Sequence, residues 1–140
     1  MTKTKAELQE FRDCPWSIYV TKSKKLIYRS NMGGINPLLQ ALNQLGEEIA
    51  GSELFDKVVG RAAAFLAVYG GIRRVNTPVI SIAALEILRE RKIPVSYLER
   101  VDRILDREKK ELCPMEKLSL DADTPEQFVK LIKRNNVNIF

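Results

Sequence analysis

Hydrophobic and polar positions change their period several times along this chain, and each change marks an element. Trp16-Ser17-Ile18-Tyr19-Val20-Thr21 and Leu26-Ile27-Tyr28-Arg29-Ser30 are rich in β-branched and aromatic residues. The polar Lys22 to Lys25 stretch between them supplies a turn, so a hairpin is expected. Asn36-Pro37 has the form of a helix start, with Asn as cap and Pro at the first helical position. Leu38, Leu42, Leu45 and Ile49 form that helix's apolar stripe, and Gly51 ends it. From Asp56 to Tyr69 the chain is apolar on nearly every face, which predicts a buried helix stopped by Gly70-Gly71. A strand from Ile72 to Ile80 follows, and Pro78 within it suggests a sheet edge or a bulge.

Ser81 reads as the cap of the next helix, Ile82 to Lys92, with Ile80 and Leu85 placed as a hydrophobic staple. Arg89, Arg91 and Lys92 sit in its last turn, where the dipole is negative. Pro94 stops it, and Val95-Ser96-Tyr97 makes a short strand. Residues 100–112 are charged and take no assignment. Thr124-Pro125-Glu126-Gln127 opens a last helix, about 124–134, which docks through Phe128, Leu131 and Ile132. Hairpin, helix, helix, strand, helix, strand is an α/β order. It predicts a mixed sheet with crossover helices on both faces, a three-layer α/β/α arrangement over one domain, residues 1–140.

Composition narrows the setting. A chain of 140 residues buries roughly two-thirds of its unfolded surface, enough for a core without staples. No apolar run approaches the ~20 residues of a membrane span, and the polar start from Met1 to Phe11 is no signal peptide. Two cysteines, Cys14 and Cys113, make no disulfide framework, so a cytoplasmic chain with reduced thiols is expected. There is no histidine, which removes Ser-His-Asp and Cys-His catalysis, histidine-ligated zinc and histidine general bases. The net charge of +5 gathers at Lys22, Lys24 and Lys25 and around Arg73 and Arg74. No recognition helix, zinc finger or aromatic–basic motif accompanies it, so nucleic acid is not the expected partner.

The chemistry most visible in the sequence lies at the start of the long apolar segment. Lys57 and Arg61 are four residues apart, on one face of the expected helix and in its first turns. Like charges there cost roughly 0.2–0.5 kcal/mol, and the positive end of the dipole adds to the cost. One explanation is an anion held between the two cations and the free N–H groups of the helix end. The other is that Asp56 caps the helix and both long side chains reach out to water.

Three strings together, Asp56-Lys-Val-Val-Gly-Arg-Ala-Ala-Ala, Ser81 at a strand–helix junction and Cys113-Pro114-Met115-Glu116, carry a resemblance. Over about residues 16–120 the chain resembles the prokaryotic domain-of-unknown-function family 1893, which is grouped with the cytidine-deaminase-like fold. The resemblance implies that fold and a pocket at the N-termini of two adjacent helices, lined by Asp56, Lys57, Gly60, Arg61 and the Ser81 hydroxyl. Zinc deaminases place a His or Cys followed by x-Glu at the first helix and Cys-x-x-Cys at the second. Here those places hold Asp56-Lys57-Val58 or Val59-Gly60-Arg61, and Ser81-Ile82-Ala83-Ala84, so zinc-dependent deamination, and any metal, is not expected. The family's Asn-Arg-Asp-Gly-like stretch is matched here by Asp106-Arg107-Glu108-Lys109, which keeps Arg107 but lacks the glycine.

These readings converge on a binder of a nucleotide or other phosphorylated small molecule, with Asp56, Lys57, Gly60, Arg61, Ser81, Arg107, Cys113 and Glu116 as ligand-binding residues and no cofactor. Two alternatives stand beside it. In one, Cys113 is a catalytic nucleophile with Asp56 as proton acceptor and Glu116 capping the same turn. In the other, an exposed sheet edge or helix pairs two copies into a non-catalytic homodimeric interaction module.

Overall fold

The computed structural model describes residues 3–105 and 114–135. Its elements in chain order are α1 (Lys5–Asp13), β1 (Ile18–Lys22), β2 (Lys25–Ser30), α2 (Asn36–Leu45), β3 (Glu53–Asp56), β4 (Val58–Val59), α3 (Arg61–Gly70), β5 (Arg74–Ser81), α4 (Ile82–Glu90), β6 (Val95–Val101), α5 (Pro114–Ser119) and α6 (Pro125–Arg134). A short 3-10 turn, Gly46–Ile49, follows α2. The sheet of the described residues is mixed: β2 pairs β1 and β1 pairs β3 antiparallel, while β3, β4 and β6 all pair β5 in parallel. This is the expected α/β class.

β5 is an interior strand of the sheet, paired along both edges. β6 runs along one of its edges from Val95 to Val101, and β3 and β4 share the other. The offset in numbering is the same on both sides of the β3–β4 break, with Glu53 opposite Arg74 and Val58 opposite Val79. The two segments are therefore one strand interrupted at Asp56 and Lys57, and Pro78 lies across from the interruption. Pro78 was expected to mark an edge or a bulge, yet the strand is interior. The conflict resolves because pairing steps over Pro78 on both edges and resumes at Val79. The prolyl nitrogen, which cannot donate, faces the one place where no ladder bond is needed. Thr77 fills part of the gap locally, its Oγ1 donating to the Val79 carbonyl at 2.8 Å.

The main core lies on one face of the sheet. Ile18, Val20, Leu54, Val75 and Ile80 meet Leu38, Leu39 and Leu42 of α2, the whole body of α3, Ala84, Leu85 and Leu88 of α4, and Phe128 and Ile132 of α6. Both crossover helices, α3 and α4, pack on this face. The expectation of crossovers on both faces fails for a topological reason: the two right-handed βαβ units advance across the sheet in the same direction, which puts both helices on the same side. The third layer is α1 instead. This segment is mostly polar, yet Thr4 and Glu7 form a capping box, with Glu7 N–H donating to Thr4 Oγ1 at 3.1 Å and Thr4 N–H to Glu7 Oε1 at 3.2 Å. Leu8 and Phe11, three residues apart, are its buried face, and Phe11 packs on Tyr19 and Phe55 with ring centroids 5.2 and 5.6 Å away.

α3 is shorter than expected, because Asp56 to Val59 belong to the sheet and Gly60 is its N-cap. Its small residues Ala62, Ala63, Ala64 and Ala67 let it sit close to the sheet while Phe65 meets Phe128 of α6 at 5.7 Å. Gly71 ends it in the left-handed region at φ 75°, as the Gly70-Gly71 pair suggested. Ser81 and Thr124 are caps as expected, accepting from Ala84 N–H and Gln127 N–H. Asn36 is the first residue of α2 rather than its cap, which is Ile35. No helix of the described residues is long and apolar enough to cross a membrane.

Candidate functional site

The interruption between β3 and β4 gives the site its first residue. Asp56 is the last residue of β3, opposite Ile18 of β1, and lines the space beside the break. Protein surrounds its carboxyl, and the surface it keeps opens into a cavity of about 650 Å³. Loss of hydration pushes its pKa from 3.8 up to about 8, while the backbone N–H groups of Val58 and Lys57 pull more weakly in the other direction. With its pKa pushed to about 8, Asp56 favours the protonated form at neutral pH, in which it can donate one hydrogen bond and accept others.

The N-terminus of α3 gives the second. Arg61 N–H and Ala62 N–H, two groups with no partner inside the helix, donate to Glu116 Oε2 at 2.9 Å and to Glu116 Oε1 at 2.7 Å. A helix start attracts an anion, and here the anion is the chain's own carboxylate, carried in from α5. Gly60 makes the approach feasible: a Cβ there would lie 2.5 Å from the Glu116 carboxyl carbon. Burial raises the Glu116 pKa, opposed by the Ala62 and Arg61 N–H groups and by the Arg61 charge.

The two cations expected beside this helix end both turn away from it. Lys57 Nζ donates to the carbonyls of Phe11, Arg12 and Cys14 at 2.5, 2.6 and 2.6 Å, closing the C-terminal end of α1. Arg61 lies over the Phe65 ring and donates from Nε to the Ser119 carbonyl at 3.1 Å and from Nη2 to the Ala122 carbonyl at 2.7 Å, just past α5. Each cation serves a helix C-terminus, the end where positive charge is favourable. The helical spacing assumed for them does not exist, because Lys57 belongs to the strand break and Arg61 opens the helix.

The cavity is walled by Ile35, Val58, Ala62, Ala63, Leu105 and Met115, with polar atoms from Asp56, Glu116 and Ser17. Gly33 and Gly34 form part of the rim, and a Cβ at Gly33 would meet no atom within 4 Å. Of the residues singled out from the sequence, the structure brings Asp56, Lys57, Gly60 and Glu116 to this space. Ser81, fully buried, caps α4 and is not among the lining residues. Arg107 and Cys113 lie outside the described residues, and with them the proposed nucleophile. Ser17 and the Gly33-Gly34 pair were missed, although a double glycine ahead of a helix is a legible sign of a turn, and Gly34 does take φ 71°. Among the described residues no three His, Cys, Asp or Glu side chains come together, and Gly60 and Ser81 stand where the helices α3 and α4 begin. That donor set does not fit a zinc ion.

Glu116 gives a prediction. Glu116→Ala leaves two N–H groups unpaired at a helix end and should cost about 2–3 kcal/mol, whereas Glu116→Gln keeps an acceptor and should cost about 1 kcal/mol. Gly60→Ala displaces the same carboxylate, so the Gly60→Ala/Glu116→Ala pair should cost clearly less than the sum of its members. Urea denaturation of the four proteins reads this directly. Additive losses would show that Gly60 and Glu116 do not act as one unit.

No curated protein matches the chain. A crystal structure of a DUF1893 family protein from Thermotoga maritima is similar at a TM-score of 0.79 and 26% identity, covering 96% of this chain and 93% of that one. A diaminohydroxyphosphoribosylaminopyrimidine deaminase/5-amino-6-(5-phosphoribosylamino)uracil reductase, also from Thermotoga maritima, is similar at a TM-score of 0.48 and 18% identity, covering 78% of this chain and 35% of that one. The family profile described as a domain of unknown function, DUF1893, matches residues 8–135. With nearly its whole length matched, the chain belongs to the DUF1893 family.

Proposed function

We propose that the cavity beside Asp56 binds a small, planar, uncharged molecule of the nucleobase or nucleoside class. The observation that carries this reading is the Asp56 carboxyl on the wall of a mostly apolar cavity, where loss of hydration favours its protonated form. A volume of about 650 Å³ suits a small organic ligand, for which roughly 300–1,000 Å³ is usual. The cavity lies outside the carboxyl end of β3 and against the start of α3, the position where open α/β sheets generally take their ligands. A neutral carboxylic acid presents a donor and an acceptor side by side, which complements the paired N–H and N or C=O groups on the edge of a base.

A phosphate is disfavoured at this place for three reasons. Glu116 already occupies the helix end, Lys57 is committed to α1, and Arg61 is committed to the segment after α5. The nucleotide reading of the sequence is thereby narrowed to the uncharged part of such a molecule.

Thermal unfolding with free bases, nucleosides and mononucleotides, each against wild type and Asp56→Leu, tests the proposal. Stabilisation by at least one base or nucleoside, lost in Asp56→Leu, which removes both donor and acceptor, is the expected result. Stabilisation that depends on the phosphate and survives in Asp56→Leu would overturn it, as would no response to any neutral ligand.

A further inference from the structure

α1 covers only part of its face of the sheet. A helix of 9 residues is about 13–14 Å long at ~1.5 Å per residue, and its aromatic contacts gather at Phe11. Toward its N-terminus the face is left open over Thr21 and Glu53, which stand opposite each other on β1 and β3. This opening is a second cavity of about 610 Å³, bounded by Lys3, Thr21, Lys22, Ser23, Lys24, Glu53, Phe55 and Arg73 among others. It gathers the basic residues of the hairpin tip, which the site beside Asp56 does not use.

The charges do not balance. Glu53 Oε2 accepts from Asn76 Nδ2 at 2.7 Å and lies 3.5 Å from Lys3 Nζ, while Glu53 Oε1 lies 3.8 Å from Arg73 Nη2. One half-buried carboxylate thus holds two cations. Glu7 stands 4.0 Å from Lys3 on the outer side. Lys22 Nζ donates to the Glu48 carbonyl at 2.9 Å, which fixes the ammonium at the rim without neutralising it. Lys24 has no partner among the described residues. Four cations therefore face two carboxylates, and one of these two lies outside the cavity. Ser23 and Lys24 form a two-residue turn with φ 51° and 65°, a conformation that glycine or asparagine adopts more readily. The chain carries a hydroxyl and a lysine at this strained position, both lining the cavity.

We infer that this basic cavity binds a multiply charged anion of the polyphosphate or phosphorylated-metabolite class, held by Lys24, Arg73, Lys22 and Lys3 with the Ser23 and Thr21 hydroxyls as further donors. The half-buried Glu53 pairs with Lys3 at 3.5 Å and more loosely with Arg73 at 3.8 Å, which keeps both cations near the cavity before the anion arrives. The cavity suits a small molecule in size. This site is independent of the reading at Asp56, and the two can stand or fall separately.

The test is calorimetric titration of the full chain with inorganic tripolyphosphate, repeated with Lys24→Gly/Arg73→Gln. Both positions are on the surface, and glycine suits the backbone at residue 24, so the variant should fold at least as well as wild type. Binding by wild type, weakened about tenfold or more in the variant and weakened by raising salt from about 50 to about 200 mM, is expected. No binding, or equal binding in the variant, would overturn the inference. A single-stranded oligonucleotide that binds more tightly than tripolyphosphate, competes with it, and loses affinity in the same variant would overturn the small-molecule class in favour of nucleic acid.

Discussion

Lys57→Met should destabilise the protein by about 3 kcal/mol, a fall in Tm of roughly 6–12 °C for a chain of this size. The Lys57 ammonium directs its three N–H donors to three carbonyls at the end of α1, and it lies 5.0 Å from the Phe11 ring. A hydrogen bond to a charged group is worth about 1.5–3 kcal/mol net, a cation at a helix C-terminus about 0.3–1, and a cation over a ring about 0.5–1. These do not add, because one ammonium makes all of them and its partial burial opposes the sum. Methionine keeps the apolar stem, so what is lost is the charge and its donors. Arginine should not restore stability, since a planar guanidinium cannot point at three carbonyls converging on one nitrogen. Hydrogen exchange should show faster exchange in residues 5–13 than in α3 or β5. A loss below about 1 kcal/mol, or one spread evenly over the chain, would sink this account of Lys57.

Asp56→Asn should act in the opposite sense. The Asp56 pKa is about 8 in the folded protein against an ordinary 3.8, so folding favours the protonated form. Its stabilising contribution is complete below pH ~4 and is lost as pH rises from there to about 8. At ~1.4 kcal/mol per pKa unit the full difference would be roughly 5–6 kcal/mol, an upper bound because the carboxyl has a face on the cavity and water there screens it. A gain of roughly 4 kcal/mol at pH 8 for Asp56→Asn, shrinking toward zero near pH 4, is the expected result. Asparagine preserves shape and hydrogen-bonding capacity without a charge to bury. Denaturant midpoints of both proteins between pH 4 and 9 would decide it. Parallel pH profiles for the two would mean that Asp56 ionises normally.

Sequence and structure agree where local signals are strong. The hairpin, the Ser81 and Thr124 caps, the Gly70-Gly71 stop and the α/β class follow from turn chemistry and hydrophobic period alone. The misreading at Asp56 arose because an apolar run of small residues has no visible boundary at Val58-Val59. The β-branched pair followed by Gly60 was the available sign that a strand was ending there. The location of the polar chemistry was legible but its partners were not. That α3 would want an anion could be read from the sequence; that Glu116, more than fifty residues on, would supply it could not. Nor could it be read that Lys57 would reach back to α1, since both pairings depend on how the layers stack. The missed helix α1 shows the reverse case. Its capping box is written in Thr4 and Glu7, but a mostly polar segment with two apolar residues on one face is easily passed over.

The lone layer formed by α1 has a consequence for how the protein is made. α1 is synthesised before the surface it packs on, which is spread over β1, β3, β5 and β6. Its start is joined to Ser96 by a hydrogen bond from Lys3 N–H at 3.1 Å, across 93 residues of chain. At about 5–20 residues per second, translation takes roughly 5–20 s to provide that partner. Until β5 and β6 follow, the sheet face that α1 covers is incomplete, so this helix docks well after it is made.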